Sequence, residues 1–367
     1  MPFELEGMDS GNQLFSKKSK YKIKVIGAGG AGNNAIKRMV LKNVDDVELI
    51  AANTDVQVLE NNPAKVKIQL GKKLTKGLGA GGDPAIGKES AIESAEEIRK
   101  YFEGTDLLFI TAGMGGGTGT GAAPIIAKLA TEMEILTVAI VTTPFHFEGS
   151  NKEKLAMKGL QELKENVDSL IKISNDKLLE DTEDLPIDKA FEKADDVLFQ
   201  AITGISDLIT KPGLINVDFA DVASVLRIKG SAMLGIGIAE GPNRAEEAVR
   251  NALNSNLLED KVRNASAVLV NIAGKNPTTR DLNTISEIIK SFSVDDAKMK
   301  TGITEIDLPP EVIKVTVVVS GYDKLPGDDN YLDLYEQPAI YRTFGKTILS
   351  EEISKLNKYL NENAVSE

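Results

Sequence analysis

The sequence predicts an α/β protein, with a doubly wound parallel sheet joined by a long central helix to a smaller α+β domain. Short apolar runs alternate with helical patterns through the first half of the chain, which is typical of a parallel sheet. Two of these runs lead directly into glycine-rich turns, at residues 27–32 and 113–121. In the stretch 186–209, apolar residues recur at helical intervals densely enough to indicate a buried helix.

Composition bounds the classes of protein that the chain can belong to. It has 367 residues, 42% of them hydrophobic, and this length favours about two domains. A formal net charge of -12 argues against a nucleic-acid partner. Because no apolar run approaches the roughly 20 residues of a membrane span, we expect a cytoplasmic protein without direct membrane insertion. With no cysteine and one histidine, any metal must be held by oxygen ligands.

The first predicted domain, residues 21–210, follows a polar and disordered leader at 1–20. It contains six strand-like runs, at 23–26, 47–52, 66–70, 107–111, 136–141 and 167–173. Helical patterns follow them at 33–41, 88–102, 118–132 and 152–166. The central helix at 186–209 closes this domain.

The second predicted domain, residues 211–321, begins where Lys211-Pro212-Gly213 breaks the central helix. A short helix is expected to start within 216–221. Strands are expected at 232–239, 266–272 and 312–320, and helices at 244–254 and 282–291. A linker and tail at 322–367 complete the chain, with an apolar helical stripe at 350–363.

The glycine run at 113–121 is the strongest functional signal. A buried strand feeds this loop and a helix follows it, so its amides and the helix N-terminus can bind phosphate oxygens. Two threonines add hydroxyl donors, and the absence of lysine leaves the phosphate charge to amides and a metal ion. The alternative is a flexible linker, which is seldom flanked so tightly by a strand and a helix.

The turn at 27–32 matches the dinucleotide-binding fingerprint Gly-x-Gly-x-x-Gly, with Asp55 near the expected position of a ribose-binding acid. An NAD-dependent oxidoreductase of the Rossmann type is therefore an alternative. Two glycine loops at strand ends, however, suit one triphosphate held from both sides. The single histidine, His146, has aromatic neighbours, which favours packing in a loop over catalysis.

Two further patterns have structural alternatives. The spacing from Gly82 to Lys88 resembles a P-loop, but Glu89 replaces the required serine or threonine, so we expect a surface loop that caps a helix from Lys88. Asp218 and Asp221 lie three residues apart on one face at the start of a helix. They could cap that helix or orient a hydrolytic water, provided that they are brought to the nucleotide.

Six motifs together resemble the FtsZ family of prokaryotic tubulin homologues, in order from about residue 23 to 319. They are Gly-Gly-Gly-Thr-Gly-Thr-Gly at 115–121, Asn-Thr-Asp at 53–55, Gly-Leu-Gly-Ala-Gly-Gly at 77–82, Pro-Phe-x-Phe-Glu-Gly at 144–149, Asn-Asp-Lys-Leu at 175–178 and Asn-Val-Asp-Phe-Ala-Asp at 216–221. The resemblance implies a tubulin-like fold and a GTPase that assembles head to tail and forms the cytokinetic ring at mid-cell.

By position, the resemblance also implies the nucleotide contacts, with GTP or GDP bound and Mg²⁺ held mainly through the phosphates. The implied residues are Gly29, Gly30, Ala31, Gly32, Asn33, Asn53, Gly113, Gly115, Gly116, Gly117, Thr118, Gly119, Thr120, Glu148, Lys152, Asn175, Phe191 and Asp195. Glu148 and Lys152 would contact ribose, although the family usually has arginine at 152. Phe191 would stack on guanine.

Asp195 suits guanine chemically, because a carboxylate accepts from both the N1 and N2 donors of that base. The alternative is a solvated helix charge beside Asp196.

The resemblance further implies that Asn216, Asp218 and Asp221 act on the nucleotide of a neighbouring subunit. Hydrolysis would then be coupled to polymerisation. A nucleotide-binding protein without turnover is the remaining alternative.

The tail peptide at 334–342, with its Pro-Ala-Ile-Tyr-Arg core, resembles the family's binding peptide for membrane-tethering partners such as FtsA. The alternative is that this segment packs on its own domain.

Overall fold

The computed structural model describes residues 21–44, 46–179, 185–211, 213–228, 231–255 and 264–322. The predictions for the leader at 1–20, the peptide at 334–342 and the stripe at 350–363 lie outside these residues. The predicted domain boundaries stay a prediction.

Within the described residues, eleven strands form one continuous sheet in the order β3-β2-β1-β4-β5-β6-β8-β11-β9-β10-β7. The strands are β1 (Ile23–Ala28), β2 (Val47–Asn53), β3 (Val66–Gln69), β4 (Leu107–Gly113), β5 (Leu136–Thr143), β6 (Ser169–Ser174), β7 (Gly213–Ile215), β8 (Ser231–Glu240), β9 (Ala265–Gly274), β10 (Ser293–Glu305) and β11 (Val312–Ser320).

Ten α-helices connect these strands in the same part of the chain. They are α1 (Gly29–Leu41), α2 (Val56–Glu60), α3 (Pro84–Glu93), α4 (Ala95–Phe102), α5 (Thr118–Glu132), α6 (Ser150–Glu165), α7 (Ile187–Thr210), α8 (Phe219–Leu226), α9 (Arg244–Leu253) and α10 (Thr279–Lys290).

The first six strands are all parallel, which confirms the doubly wound sheet. Strand β1 is buried along its whole length and pairs with β2 on one side and β4 on the other. One apolar cluster packs α1 and α7 against one face of the sheet, and a second packs α3 to α6 against the opposite face. Helices on both faces explain why the strands are continuously apolar in sequence.

The second part of the sheet is mixed, as expected for an α+β domain. Strand β11 pairs antiparallel with β8 and β9, and β9 pairs parallel with β10. Among the described residues, the two parts meet between β6 and β8 through just the pairs Leu170–Ser231 and Ile171–Ala232. Helix α7 has 24 residues and so is about 36 Å long; it packs against both parts of the sheet through the first apolar cluster.

Several predicted bounds are wrong for identifiable reasons. The single helix expected at 88–102 is two helices that meet at Ser94, and the first begins at Pro84. Asp83 caps it through the Ala85 N–H at 2.8 Å, and proline suits the first turn. The short helix expected to start within 216–221 does so at Phe219, with Asp218 at its N-cap.

Glycines in the run at 113–121 let α5 lie directly against α3. A Cβ atom at Gly121 would come within 2.0 Å of the carbonyl oxygen of Pro84, and one at Gly87 within 2.3 Å of the Gly117 carbonyl oxygen. Neither contact is possible for a side chain, so the close approach of the two helices requires glycine. Part of the glycine signal therefore reports helix packing.

We expect Gly121→Ala to lower the free energy of unfolding by about 1–3 kcal/mol, because the added methyl group meets backbone. Helix propensity alone would instead raise that free energy by about 1 kcal/mol, so the sign of the change separates the packing effect from the propensity effect. Urea unfolding of the nucleotide-free protein measures this change. Gly116→Ala is the control, since a Cβ there has no atom within 4 Å. Equal stability of the two variants would contradict the packing argument.

Candidate functional site

A cavity of about 390 Å³ lies where β4 and β5 end and α1 and α5 begin, with α7 along one side. Residues from both glycine loops line it, so the fold brings together segments that lie about 80 positions apart. The predicted nucleotide contacts that line the cavity are Gly30, Ala31, Gly113, Gly116, Gly117, Thr118, Gly119, Glu148, Lys152, Asn175, Phe191 and Asp195.

Six other predicted contacts do not line the cavity; they are Gly29, Gly32, Asn33, Asn53, Gly115 and Thr120. The Asn33 amide donates to the carbonyl oxygens of Gly27 at 2.8 Å and Ala52 at 3.0 Å. The Thr120 hydroxyl accepts from the Gly115 N–H at 2.8 Å. These polar side chains hold the loops in shape, and their direct contact with a nucleotide stays a prediction.

Sequence analysis missed six residues that line the cavity, namely Asn34, Met114, Thr142, Thr143, Pro144 and Ala194. A signal was available for Thr142 and Thr143. They end β5, which pairs in parallel with β4, so they lie at the same sheet edge as the glycine run. Residues at the carboxyl ends of neighbouring parallel strands are the expected lining of such a cleft.

The two helix N-termini at the cavity have no side-chain cap in the described structure. Ala28 precedes α1 and Gly117 precedes α5, and neither makes a side-chain hydrogen bond to its helix. Neither helix has an acidic residue in its first turn. The first N–H groups of both helices thus keep their positive partial charge, which favours an anionic ligand.

Two glycines at this surface are not explained by packing. Gly30 and Gly116 both line the cavity and both lack a positive φ. A Cβ at either position would have no atom within 4 Å. The fold itself would therefore accept alanine at both, which indicates that the space is kept for a ligand approaching the backbone.

A second group of lining residues carries hydrogen-bond acceptors beside an aromatic ring. Asp195 and Phe191 project from α7, and Asn175 follows β6. The Asn175 Oδ1 atom is buried and has no hydrogen-bond partner among the described residues. A buried acceptor without a partner is costly, so this atom is suited to accept from a donor on a bound molecule.

Burial raises the pKa of Asp195 to about 7, although Arg38 lowers that pKa and Asp196 raises it further. The neighbouring Asp196 is held by Arg38 and by Lys42, the latter at 2.7 Å. The two adjacent carboxylates are therefore in different environments. Asp196 forms the ion pairs of the helix, whereas Asp195 lines the cavity.

Glu148 and Lys152 form an ion pair at 2.8 Å at the cavity rim. The Glu148 Oε1 atom also accepts from the Phe145 N–H at 3.0 Å, so this carboxylate is fixed by the protein. The packing role expected of His146 is wrong. Its side chain is 91% exposed, and the buried ring of this segment is that of Phe145.

Asp55 does not serve as the ribose-binding acid of a dinucleotide site. Its carboxylate caps α2 by accepting from the N–H groups of Gln57 and Val58, and it does not line the cavity. The Gly82–Lys88 segment is also not a phosphate loop, because Lys88 lies inside α3 and pairs with Glu162. The rejection of a P-loop agrees with this structure.

The three predicted catalytic residues are not among those that line the cavity. The exposed Asp218 carboxylate makes no cap bond to α8 and has no ion pair within the described residues. Lys300 holds Asp221 at 2.7 Å. The Asn216 side-chain oxygen accepts from the Gly213 N–H at 2.8 Å. Helix capping therefore does not explain Asp218.

A model of the Tubulin/FtsZ family GTPase domain matches residues 22–183, and a model of the FtsZ family C-terminal domain matches residues 230–323. Together they cover most of the chain, including both glycine loops. The chain belongs to the FtsZ family. Membership makes it a tubulin-like cell-division GTPase, which implies a guanine nucleotide, and it gives no support to the oxidoreductase alternative.

Individual relatives agree with this assignment. The cell division protein FtsZ of Pseudomonas aeruginosa is 51% identical over 303 residues, covering 82% of this chain and 77% of that protein. An FtsZ dimer structure from M. jannaschii is 44% identical, with a TM-score of 0.80 over 83% of this chain and 89% of that one. CetZ2 of Haloferax volcanii, at 21% identity, a TM-score of 0.74 and coverage of 86% and 97%, shares the fold.

Among the described residues, no helix is both long and apolar enough to cross a bilayer.

We expect Gly116→Ala to weaken GDP binding by about tenfold or more while leaving the thermal unfolding of the nucleotide-free protein unchanged. The methyl group would occupy space that a phosphate needs to reach the backbone, and losing one charge-assisted hydrogen bond costs about 1.5–3 kcal/mol. Titration calorimetry measures the affinity. Unaltered affinity would show that the ligand does not approach this backbone.

Proposed function

We propose that one copy of this chain binds GTP between its two glycine loops and hydrolyses it only where a second copy supplies Asp218, so that assembly is head to tail. One observation carries the proposal. The cavity contains groups suited to both phosphates and guanine, yet the exposed and unpaired carboxylate lies elsewhere on the same chain. The M. jannaschii relative is described as a dimer, which supports self-association.

The phosphates would lie at the N-termini of α1 and α5. Both helices offer free N–H groups there, and the open positions at Gly30 and Gly116 let anionic oxygens come close. No lysine or arginine other than Lys152 lines the described cavity, and Lys152 is already paired with Glu148. Backbone dipoles thus supply most of the compensation for the phosphate charge.

A magnesium ion fits such a site as a partner of the phosphates. Mg²⁺ commonly keeps several waters and binds through substrate phosphates. The described residues contain no group of three or more His, Cys, Asp or Glu side chains placed to hold a metal. The ion would supply charge neutralisation at the phosphates, while the loops fix their position.

The base would lie against α7. Guanine presents two adjacent donors, N1–H and N2–H, and one acceptor, O6; adenine lacks this pattern. Asp195 can accept from both donors, the Asn175 amide can serve as acceptor or donor, and the half-exposed Phe191 ring offers a stacking surface. This arrangement favours guanine.

The catalytic group would be the Asp218 carboxylate of the neighbouring copy. A hydrolytic water needs a carboxylate that can orient it or accept its proton near the terminal phosphate. Asp218 is exposed and unpaired within the described structure, whereas Asp221 is held by Lys300. Asp218 is thus the group available for water, with Asp221 and Asn216 shaping the same surface. Its separation from the cavity makes the monomer incomplete.

In the cell, we propose that the filament forms the cytokinetic ring at mid-cell, as a cytoplasmic polymer. Peptide 334–342 would bind a membrane-tethering partner such as FtsA. The mixture of aromatic, aliphatic and basic residues in this peptide suits folding on binding.

The raised pKa of Asp195 predicts that GDP affinity falls by about tenfold between pH 8 and pH 6. Only the ionised carboxylate accepts from both guanine donors, and with a pKa of about 7 the ionised fraction is small at pH 6. Asp195→Asn is the control, because it removes the titrating group but leaves the phosphates to titrate. That variant should also favour xanthosine diphosphate, whose O2 accepts from an amide. The same pH slope in Asp195→Asn would contradict the assignment.

We expect Asp218→Ala to keep GTP binding nearly unchanged and to abolish phosphate release. In the unmodified protein, specific activity should rise above a threshold protein concentration, because the site is completed by a second copy. Glu247→Ala removes a comparable exposed carboxylate from the first turn of α9 and should retain turnover. Retained turnover in Asp218→Ala, or activity independent of concentration, would refute the proposal.

A further inference from the structure

Two threonine hydroxyls meet beside the cavity. The Oγ1 atoms of Thr54 and Thr118 are 2.6 Å apart, and either could be the donor on distance alone. Thr54 follows β2 and is fully buried. Thr118 is the first residue of α5 and lines the cavity. The pair thus joins the end of one strand to the start of the phosphate-facing helix.

The number of protons decides which hydroxyl donates. Each hydroxyl has one proton, and among the described residues the only hydrogen bond of Thr54 Oγ1 is with Thr118. If Thr118 donated, the Thr54 proton would be left buried without an acceptor, which costs free energy. If Thr54 donates, its buried proton has an acceptor, and the Thr118 proton remains free on the cavity side.

The backbone of Thr54 is fixed independently of this pair. Its carbonyl oxygen accepts from the Gly79 N–H at 3.2 Å, and the Thr75 hydroxyl, whose single proton is shared with the Gly71 carbonyl oxygen at 3.0 Å, lies at the same distance. Because the backbone of Thr54 is held and its side chain is fully buried, its hydroxyl has little freedom to move and can set the orientation of a partner. Once the Thr118 oxygen accepts from this fixed donor, its own proton is free to be donated on the other side.

We propose that Thr54 is a positioning residue whose hydroxyl donates to Thr118 and thereby directs the Thr118 O–H at a phosphate oxygen of the bound nucleotide. The inference deepens the proposed function and rests on it. Thr54 does not itself touch the ligand; it determines that the cavity presents a hydroxyl donor and not a lone pair where the phosphate lies. An oriented donor avoids reorganisation when an anion binds.

The test compares Thr54→Val, which removes the hydroxyl at similar volume, with Thr54→Ser, which retains it. We expect Thr54→Val to weaken GDP binding by about five- to tenfold, the size of one oriented hydrogen bond, and Thr54→Ser to restore the affinity. Binding of guanosine, which has no phosphate, should be unchanged in both. Thr54→Ala gives a second way to remove the hydroxyl without placing a methyl group against Thr118.

A double-mutant cycle separates positioning from a general structural effect. In a Thr118→Ala background, Thr54→Val should have no further effect on GDP affinity, because its action passes through the Thr118 hydroxyl. Equal weakening of GDP and guanosine, or an undiminished effect in that background, would overturn the proposal. Unchanged GDP affinity in Thr54→Val would overturn it while leaving the nucleotide site intact. Failure of the unmodified protein to bind GDP would refute the site itself.

Discussion

The site depends on two helix N-termini that the sheet holds side by side without capping groups. Because β1 and β4 pair in register from Ile23–Leu107 to Ala28–Ala112, the helices that follow them begin at the same edge. A Cβ at Gly29 would lie 2.7 Å from the Gly119 nitrogen, so the two loops touch. Two uncapped helix ends at such a distance create a positive region that an anion offsets better than water does.

The same architecture separates the cavity from the carboxylates for which we propose a catalytic role. Helix α7 carries Phe191 and Asp195 towards the cavity, while the chain that follows its far end carries Asp218 and Asp221. A helix of 24 residues lies between these two sets of groups, so under the proposed mechanism the carboxylates would act on the nucleotide of a second copy placed end to end with the first.

Sequence patterns predicted the parallel sheet and the glycine loops, because these depend on apolar periodicity and on local turn chemistry, whereas Lys152, Phe191 and Asp195 were expected at the cavity only from the family resemblance. Strand β10 was missed because exposed charged residues, such as Asp295 and Lys298, interrupt its apolar residues. Asn33 looks like a ligand in sequence, yet its amide is used by carbonyls of β1 and β2. Side-chain hydrogen bonds of this kind depend on neighbours in three dimensions and cannot be deduced from the spacing of residues in the sequence. The Lys300–Asp221 pair is of the same kind.

The short contact between β6 and β8 determines which interactions hold the two parts of the sheet in a fixed relative orientation. Two residue pairs are too few to resist twisting between the two parts of the sheet, so their relative orientation depends on the apolar cluster that joins Ile23, Leu198 and Val318. Apolar contacts weaken on cooling, whereas ladder hydrogen bonds do not share that dependence. Because the joint has few ladder hydrogen bonds beside its apolar contacts, it loses a larger share of its stabilisation on cooling than either part does.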